Sequence, residues 1–578
     1  MRGATPTAAD ISVTQALALL DGPFAELAQG VAERRYALWL GSGISRGRVD
    51  DLKAVINRVL TYLHANANFG NPDCTYVRAL DEAIGLAQLS DEERAAFDPT
   101  QPIADWALLP TIVDRLRNSY ARLLDIRIDD HPADHLLWDV VDVAGTFAGA
   151  ALEPDCEHLC AALLIIEGGF ANIASANWDG LIELAVDELS GGAGDILRVC
   201  VRDGDFRKPA LRARLMKFQG CAVRARDDPA NYRALLVGLQ SQIVAWREDQ
   251  GVAVMRQTLI NLTTVSPTLM IGLSAQDANI QAVFVKGQAT MAWDWPSDPP
   301  AYVFAEEVLG PDQTTLLKCV YRDAYDANRQ AIETGAQIRA FAKPLLTALV
   351  LHFLWRKLSV FLQSAPAPHL QPPDFDGLAA ALLHLRDRVA SLAEPDRLAF
   401  IRAFIQETGR ALSLFREGRL IEPGAPAYRP LGIEPVNQIA GDPSLVTSGL
   451  PELAVALGLL GVGEAEGEWT IARADPAQPT SGALQVKPTG GVVAQRLFFV
   501  ANTEVALQLK LSGLVRDDEP DVVIVYSTAP APRQPRSPRL APGRTGARAT
   551  REVGIRSLLS DSSSLVELKT RFREEAVL

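Results

Sequence analysis

Tyr36–Ser45 reads YALWLGSGIS. An apolar run ends at Gly41, and a helical pattern resumes at Asp51 with DLKAVINRVLTYL. Apolar run, glycine turn, helix is the first unit of an α/β nucleotide-binding fold. The run is continuous rather than alternating. That marks a strand buried on both faces, hence a parallel sheet covered by helices. The rhythm returns in FANIASAN (Phe170–Asn177), which runs into the helical DGLIELAVDEL, and in ILRVCV (Ile196–Val201) and RLMKF (Arg214–Phe218). It returns again in TLMIGLS (Thr268–Ser274), which leads into the helical DANIQAVF, and in AYVFAE and LLKCVYR (Leu316–Arg322). The expected fold class is α/β: a Rossmann-like parallel sheet over residues 31–335 with a helical insertion at 55–165. An N-terminal helix occupies 1–30, with apolar positions at Ile11, Leu17, Leu20, Phe24, Leu27 and Val31.

Beyond the sheet, residues 336–420 read as a helical region. Residues 421–530 read as a smaller C-terminal α/β or β-rich module, with strands at RLFFVAN, ALQLKL (Ala506–Leu511) and DVVIVYS. Residues 531–578 read as a flexible loop, rich in proline and arginine, and a terminal amphipathic docking helix, SLVELKTRFREE. The stretch PLLTALVLHFLW (Pro344–Trp355) is too short for a membrane span and reads as a buried helix. The N-terminus lacks the apolar segment of a signal peptide. Six scattered cysteines suggest free thiols and a cytoplasmic setting. The net charge of -14 argues against general nucleic-acid binding. The arginines of 533–551 leave a local nucleic-acid-binding module open beside the linker reading.

Three further segments could carry chemistry. In LGSGISRG, Gly41 and Gly43 would let the backbone approach a phosphate, with Ser42 and Ser45 beside it. The same glycines also suit a plain tight turn. The spacing is neither GxGxxG nor a P-loop. In SANWDGLIE, Asn177 and Asp179 lie past the carboxyl end of a strand, where open α/β sheets place ligands. Helix capping is the alternative reading. In GLSAQD, Gly272, Ser274 and Asp277 follow another strand.

Together, GSGIS (Gly41–Ser45), SANWDGL (Ser175–Leu181), KFQG (Lys217–Gly220) and GLSAQD (Gly272–Asp277) resemble the sirtuin-like family, over about residues 30–325. The resemblance implies NAD as substrate: Gly41, Gly43 and Ser45 cradle the pyrophosphate, and Asn177 and Asp179 hold the attacking water and the ribose. It implies Gly272, Ser274 and Asp277 near the adenosine ribose. The family's KxHG motif carries its general base, and here Gln219 takes the histidine's place. The expected activity is therefore NAD hydrolysis to ADP-ribose and nicotinamide, slow in this chain. The alternative is a silent NAD- or ADP-ribose-binding sensor or scaffold. Intact neighbours favour an engineered replacement at 219 over an activity lost long ago. Cys156 and Cys160 form one C-x3-C pair and no second pair exists, so no zinc site is expected. That suits the bacterial antiphage members. These imply a homo-oligomer with a HerA-type ATPase, or alternatively a short Argonaute with guide and target nucleic acid, and no membrane. His131 and His135 could line the pocket or simply pack.

Overall fold

The computed structural model describes residues 6–71, 73–192, 194–209, 211–422, 424–528 and 550–578. Seven strands among them form one wholly parallel sheet: β1 (Ala37–Leu40), β2 (Asn172–Ser175), β3 (Leu197–Cys200), β4 (Ala213–Lys217), β5 (Thr268–Ile271), β6 (Tyr302–Ala305) and β7 (Gln337–Ile338). Their order is β3-β4-β2-β1-β5-β6-β7. The chain leaves β1 toward β2 on one side and later returns to β5 on the other. The crevice at this reversal is the usual ligand position of such sheets.

The register explains which residues meet there. Leu40 pairs with Ser175 and with Ile271, and Ser175 pairs with Lys217. The carboxyl ends of β4, β2, β1 and β5 are therefore level. Gly41, Ala176, Phe218 and Gly272 leave the sheet along one edge.

The sheet is apolar on both faces. Leu38, Leu40, Ile173, Leu215, Leu269 and Ile271 join one core, and Trp39, Ala174, Met216, Met270 and Phe304 join another. The first core runs on through the helical region and the C-terminal module as far as Ala576. At its centre is helix Ala342–Gln363, packed against helices Val13–Asp21, Cys156–Ile166, Pro372–Ser391 and Leu450–Ala465. It extends beyond the stretch legible in the sequence. With 22 residues and a mean hydropathy of 1.6 it is long and apolar enough to cross a membrane, but 78% of its apolar window is buried inside the protein.

Several expected elements differ. The N-terminal helix is two, Val13–Asp21 and Ala25–Ala32, broken at Gly22-Pro23. LLKCVYR is not a strand: all but Arg322 lies in helix Pro311–Tyr321, which buries Leu316, Leu317, Val320 and Tyr321 at helical spacing. ALQLKL is also helical, within Thr503–Leu511, where Asn502 caps the first turn by accepting from the Val505 N–H at 3.0 Å. The insertion builds its own core from Val55 to Ala148, shared with Cys221, Ala222, Tyr232 and Leu236 from the segment after β4. Helix Cys156–Ile166, placed with the insertion on sequence, belongs instead to the core beneath the sheet.

The C-terminal module contains a second sheet of five strands: β8 (Trp469–Arg473), β9 (Leu484–Pro488), β10 (Gln495–Val500), β11 (Val522–Tyr526) and β12 (Arg551–Gly554). β8, β9 and β10 are antiparallel, while β10, β11 and β12 are parallel. The expected loop at 529–549 lies outside the described residues. The terminal helix Leu565–Ala576 docks on its own chain, burying Leu568, Phe572 and Ala576.

Candidate functional site

Ser45 ends the short turn after β1 and is fully buried. Its hydroxyl donates to Asp179 Oδ2 at 2.9 Å and accepts from Asn177 Nδ2 at 3.1 Å. The three residues named from two distant motifs thus form one cluster. Asp179 also satisfies an open amide at the start of the next helix, because Oδ1 accepts from the Leu181 N–H at 3.1 Å, although the N-cap position itself is Gly180. The same carboxylate thus joins the cluster and steadies the first turn of the helix. Asn177 is 6% exposed, and its Oδ1 is buried with no hydrogen-bond partner.

The loop carrying Asn177 and Asp179 is held from below by Lys217. Its ammonium donates to the carbonyl oxygens of Asp179 and Trp178 and to Glu183 Oε1, the last at 3.0 Å. Burial pulls the Lys217 pKa down, but Glu183, Cys221 and Asp179 outweigh it and the net shift is upward, so the group stays charged. The lysine of KFQG is therefore a fastener for the neighbouring loop. The glycine is equally constrained: Gly220 has φ +93°, and a Cβ there would lie 2.6 Å from the Leu235 carbonyl oxygen.

Gln219, between them, is buried and donates through Nε2 to Asp277 Oδ2 at 2.7 Å. The insertion's Tyr120 donates its phenolic O–H to the same carboxylate, at 3.1 and 3.2 Å. Burial raises the Asp277 pKa, and the bonds from Gln219 and Tyr120 partly counter that. Asp277, expected beside a cofactor ribose, is thus hydrogen-bonded to Gln219, the residue expected in the general base's place.

The glycines have a different task from the one expected. The Gly41 N–H donates to the Ile271 carbonyl oxygen and the Gly43 N–H to that of Gly272, both at 3.1 Å. In this conformation neither amide is free for a phosphate. Gly43 and Gly272 are required because two backbones cross: a Cβ on Gly43 would lie 2.5 Å from Gly272 Cα. Gly43→Ala should therefore cost at least about 1–3 kcal/mol, read as a lowered thermal midpoint. Ser42 and Ser274 are exposed, and the Ser274 hydroxyl caps its own turn at Gln276. Beside the turn lies a cleft of about 910 Å³ lined by Arg46, Arg48, Asp50, Arg58, Asp142 and Thr146 among others.

One histidine that sequence spacing did not single out enters the cluster. His158 is fully buried, and its Nε2 lies 3.2 Å from Ser45 Oγ. With Asp155 nearby it superficially resembles a Ser-His-Asp nucleophile triad. The polarity is wrong for that chemistry. Nδ1 accepts from the Asp155 backbone N–H at 3.1 Å, where a triad histidine donates to the carboxylate. The Asp155 carboxylate faces Arg48 at 3.1 Å and Lys343 at 2.9 Å. His131 and His135 lie elsewhere. Their rings stack at 3.8 Å, His135 is bonded to Tyr62 and Asp139, and it lines a second cleft. Cys156 and Cys160 sit in the core against Thr347, with sulfurs 4.0 Å apart. Among the described residues no group of three or more His, Cys, Asp or Glu is placed to hold a metal ion.

No protein-family model matches the chain and no curated protein matches it.

Proposed function

We propose that this chain is a sirtuin-like NAD+ glycohydrolase whose turnover is restrained by the glutamine at 219. The observation that carries the reading is the Asn177 carbonyl oxygen. A buried acceptor without a protein partner is left for a water or a ligand donor to satisfy. A ribose hydroxyl or an attacking water supplies one. Asn177 stands at the carboxyl ends of the central strands, beside Ser45 and Asp179, and Gln219 emerges on the neighbouring strand end.

Hydrolysis breaks the bond from ribose C1′ to the nicotinamide nitrogen. The electron pair leaves with the pyridinium nitrogen, giving neutral nicotinamide. Water oxygen bonds to C1′ and loses one proton. The transition state carries oxocarbenium character, as in glycoside hydrolysis. Asn177 Oδ1 would accept from the water or a ribose hydroxyl, and the Asp179 carboxylate would oppose the developing positive charge. A side chain at 219 would receive the proton, and glutamine cannot.

The resemblance extends the proposal to a cytoplasmic antiphage effector that works as an oligomer with a HerA-type ATPase, or with a short Argonaute as the second possibility. The other reading is a silent nucleotide sensor. It draws on the same glutamine and on the closed Tyr120–Asp277–Gln219 contact. Prolonged incubation with NAD+ separates the two. Slow, equimolar release of nicotinamide and ADP-ribose supports the hydrolase. Bound NAD+ recovered intact, even from Gln219→His, supports the sensor.

A further inference from the structure

We infer that His158 is a positioning residue that holds Asn177 with its carbonyl oxygen turned into the site. Hydrogen-bond direction along this chain of groups is fixed at both ends. At one end the Asp155 backbone N–H can only donate, and it points at His158 Nδ1 from 3.1 Å. Nδ1 must be the acceptor, so the ring proton sits on Nε2. Nε2–H then donates to Ser45 Oγ at 3.2 Å. At the other end the Asp179 carboxylate accepts the one hydroxyl proton of Ser45 at 2.9 Å. A hydroxyl has one donor and two acceptor sites. Ser45 therefore faces Asn177 as an acceptor and takes the Nδ2 side of the amide, at 3.1 Å. Oδ1 is left facing the other way, without a partner.

The charged neighbours keep this polarity. The Asp155 carboxylate, which alone would favour a protonated ring, is held by Arg48 and Lys343, which oppose it, and Glu157 lies next to His158 with its pKa pushed up to about 7 by burial. Burial lowers the His158 pKa to about 4, leaving the ring neutral near pH 7. A second ring proton would set two N–H groups against each other at Asp155. The functional part of this inference rests on Asn177 being the ligand-contacting group; the polarity does not.

The test has two arms, both on the full chain. Long-range 1H–15N correlation of the histidine rings between pH 5.5 and 8 should show His158 as a non-titrating Nε2–H tautomer. A Nδ1–H tautomer, or titration near pH 6.5, overturns the inference. In a Gln219→His background, His158→Ala should lower kcat/KM about 10²-fold, with part of the loss carried by a higher KM, through the misplaced amide. His158→Gln, which can still donate to Ser45, should recover most of that loss. Equal losses in both variants overturn the positioning role. A Gln219→His chain with no NAD+ turnover but an intact Nε2–H tautomer counts against NAD+ as substrate while supporting the polarity.

Discussion

Gln219→His should raise the rate of nicotinamide release by about 10²–10⁴-fold, the usual worth of a positioned general base. Gln219 already sits as a neutral histidine would. Its amide N–H side is fixed on Asp277 at 2.7 Å, which leaves Oε1 as an acceptor. An imidazole in the same place would donate one ring N–H to Asp277 and keep the other nitrogen as a lone pair. The hydrogen-bond pattern is the same, but imidazole can hold a proton and glutamine cannot. Asp277 would then orient the base, with Tyr120 steadying the carboxylate from the insertion. The base works in its neutral form. The variant's rate should therefore rise with pH through about 6.5, the ordinary histidine value, and level off above it. The parent chain should lack that limb. A Gln219→His rate no higher than the parent's, under the same activating conditions, would remove position 219 from the mechanism.

Lys357→Met should destabilise the protein by about 3–5 kcal/mol, the cost of stranding a buried charge. Lys357 is fully buried, and its ammonium meets Glu167 Oε2 at 2.7 Å, the Glu167 carbonyl at 2.6 Å and the Gly432 carbonyl. Glu167 Oε1 in turn accepts from Tyr428 at 2.5 Å and from the Leu431 N–H at 2.9 Å. Burial pulls the Lys357 pKa down; Glu167 opposes that without cancelling it. This network ties the end of helix Cys156–Ile166 under the first sheet to the segment leading into the C-terminal module. Removing the lysine leaves a carboxylate facing carbonyl oxygens. The double variant Lys357→Met/Glu167→Gln should recover part of the loss, because no unpaired charge remains. Denaturant midpoints compare the three proteins directly. A Lys357→Met midpoint within about 0.5 kcal/mol of the parent would mean that this tie is idle.

The first sheet was readable because its strands are buried on both faces. That leaves continuous apolar runs, and β1, β2, β4 and β5 fall where those runs are. Short runs without flanking punctuation are ambiguous between strand and helix. In LLKCVYR the useful signal lay outside the run: Gly310-Pro311 opens a helix and the buried positions follow its period. ALQLKL alternates as a strand would, but the structure buries Ala506 and Leu509 and leaves Leu507 and Leu511 exposed. Asn502 was the cue for a cap. The Ser45–Asn177–Asp179 cluster was legible because each motif follows a strand and the register aligns the strand ends. His158 and Tyr120 were not. His158 is 113 residues from Ser45, and Tyr120 is 157 from Asp277. No local spacing carries a contact made only when an insertion and a core helix close over the sheet. The glycines misled in a different way. Their permissiveness serves a crossing of β1 and β5 turns, and the same letters would serve a phosphate.

Asn177 is proposed to offer its unpaired oxygen to a nucleotide. Calorimetric titration of NAD+ into the parent chain and into Asn177→Ala tests it most directly. The parent should bind one NAD+ per chain, and Asn177→Ala should bind about tenfold or more weakly, the loss expected for one buried hydrogen bond. No saturable binding by the parent, or equal affinity in the two proteins, would contradict the account.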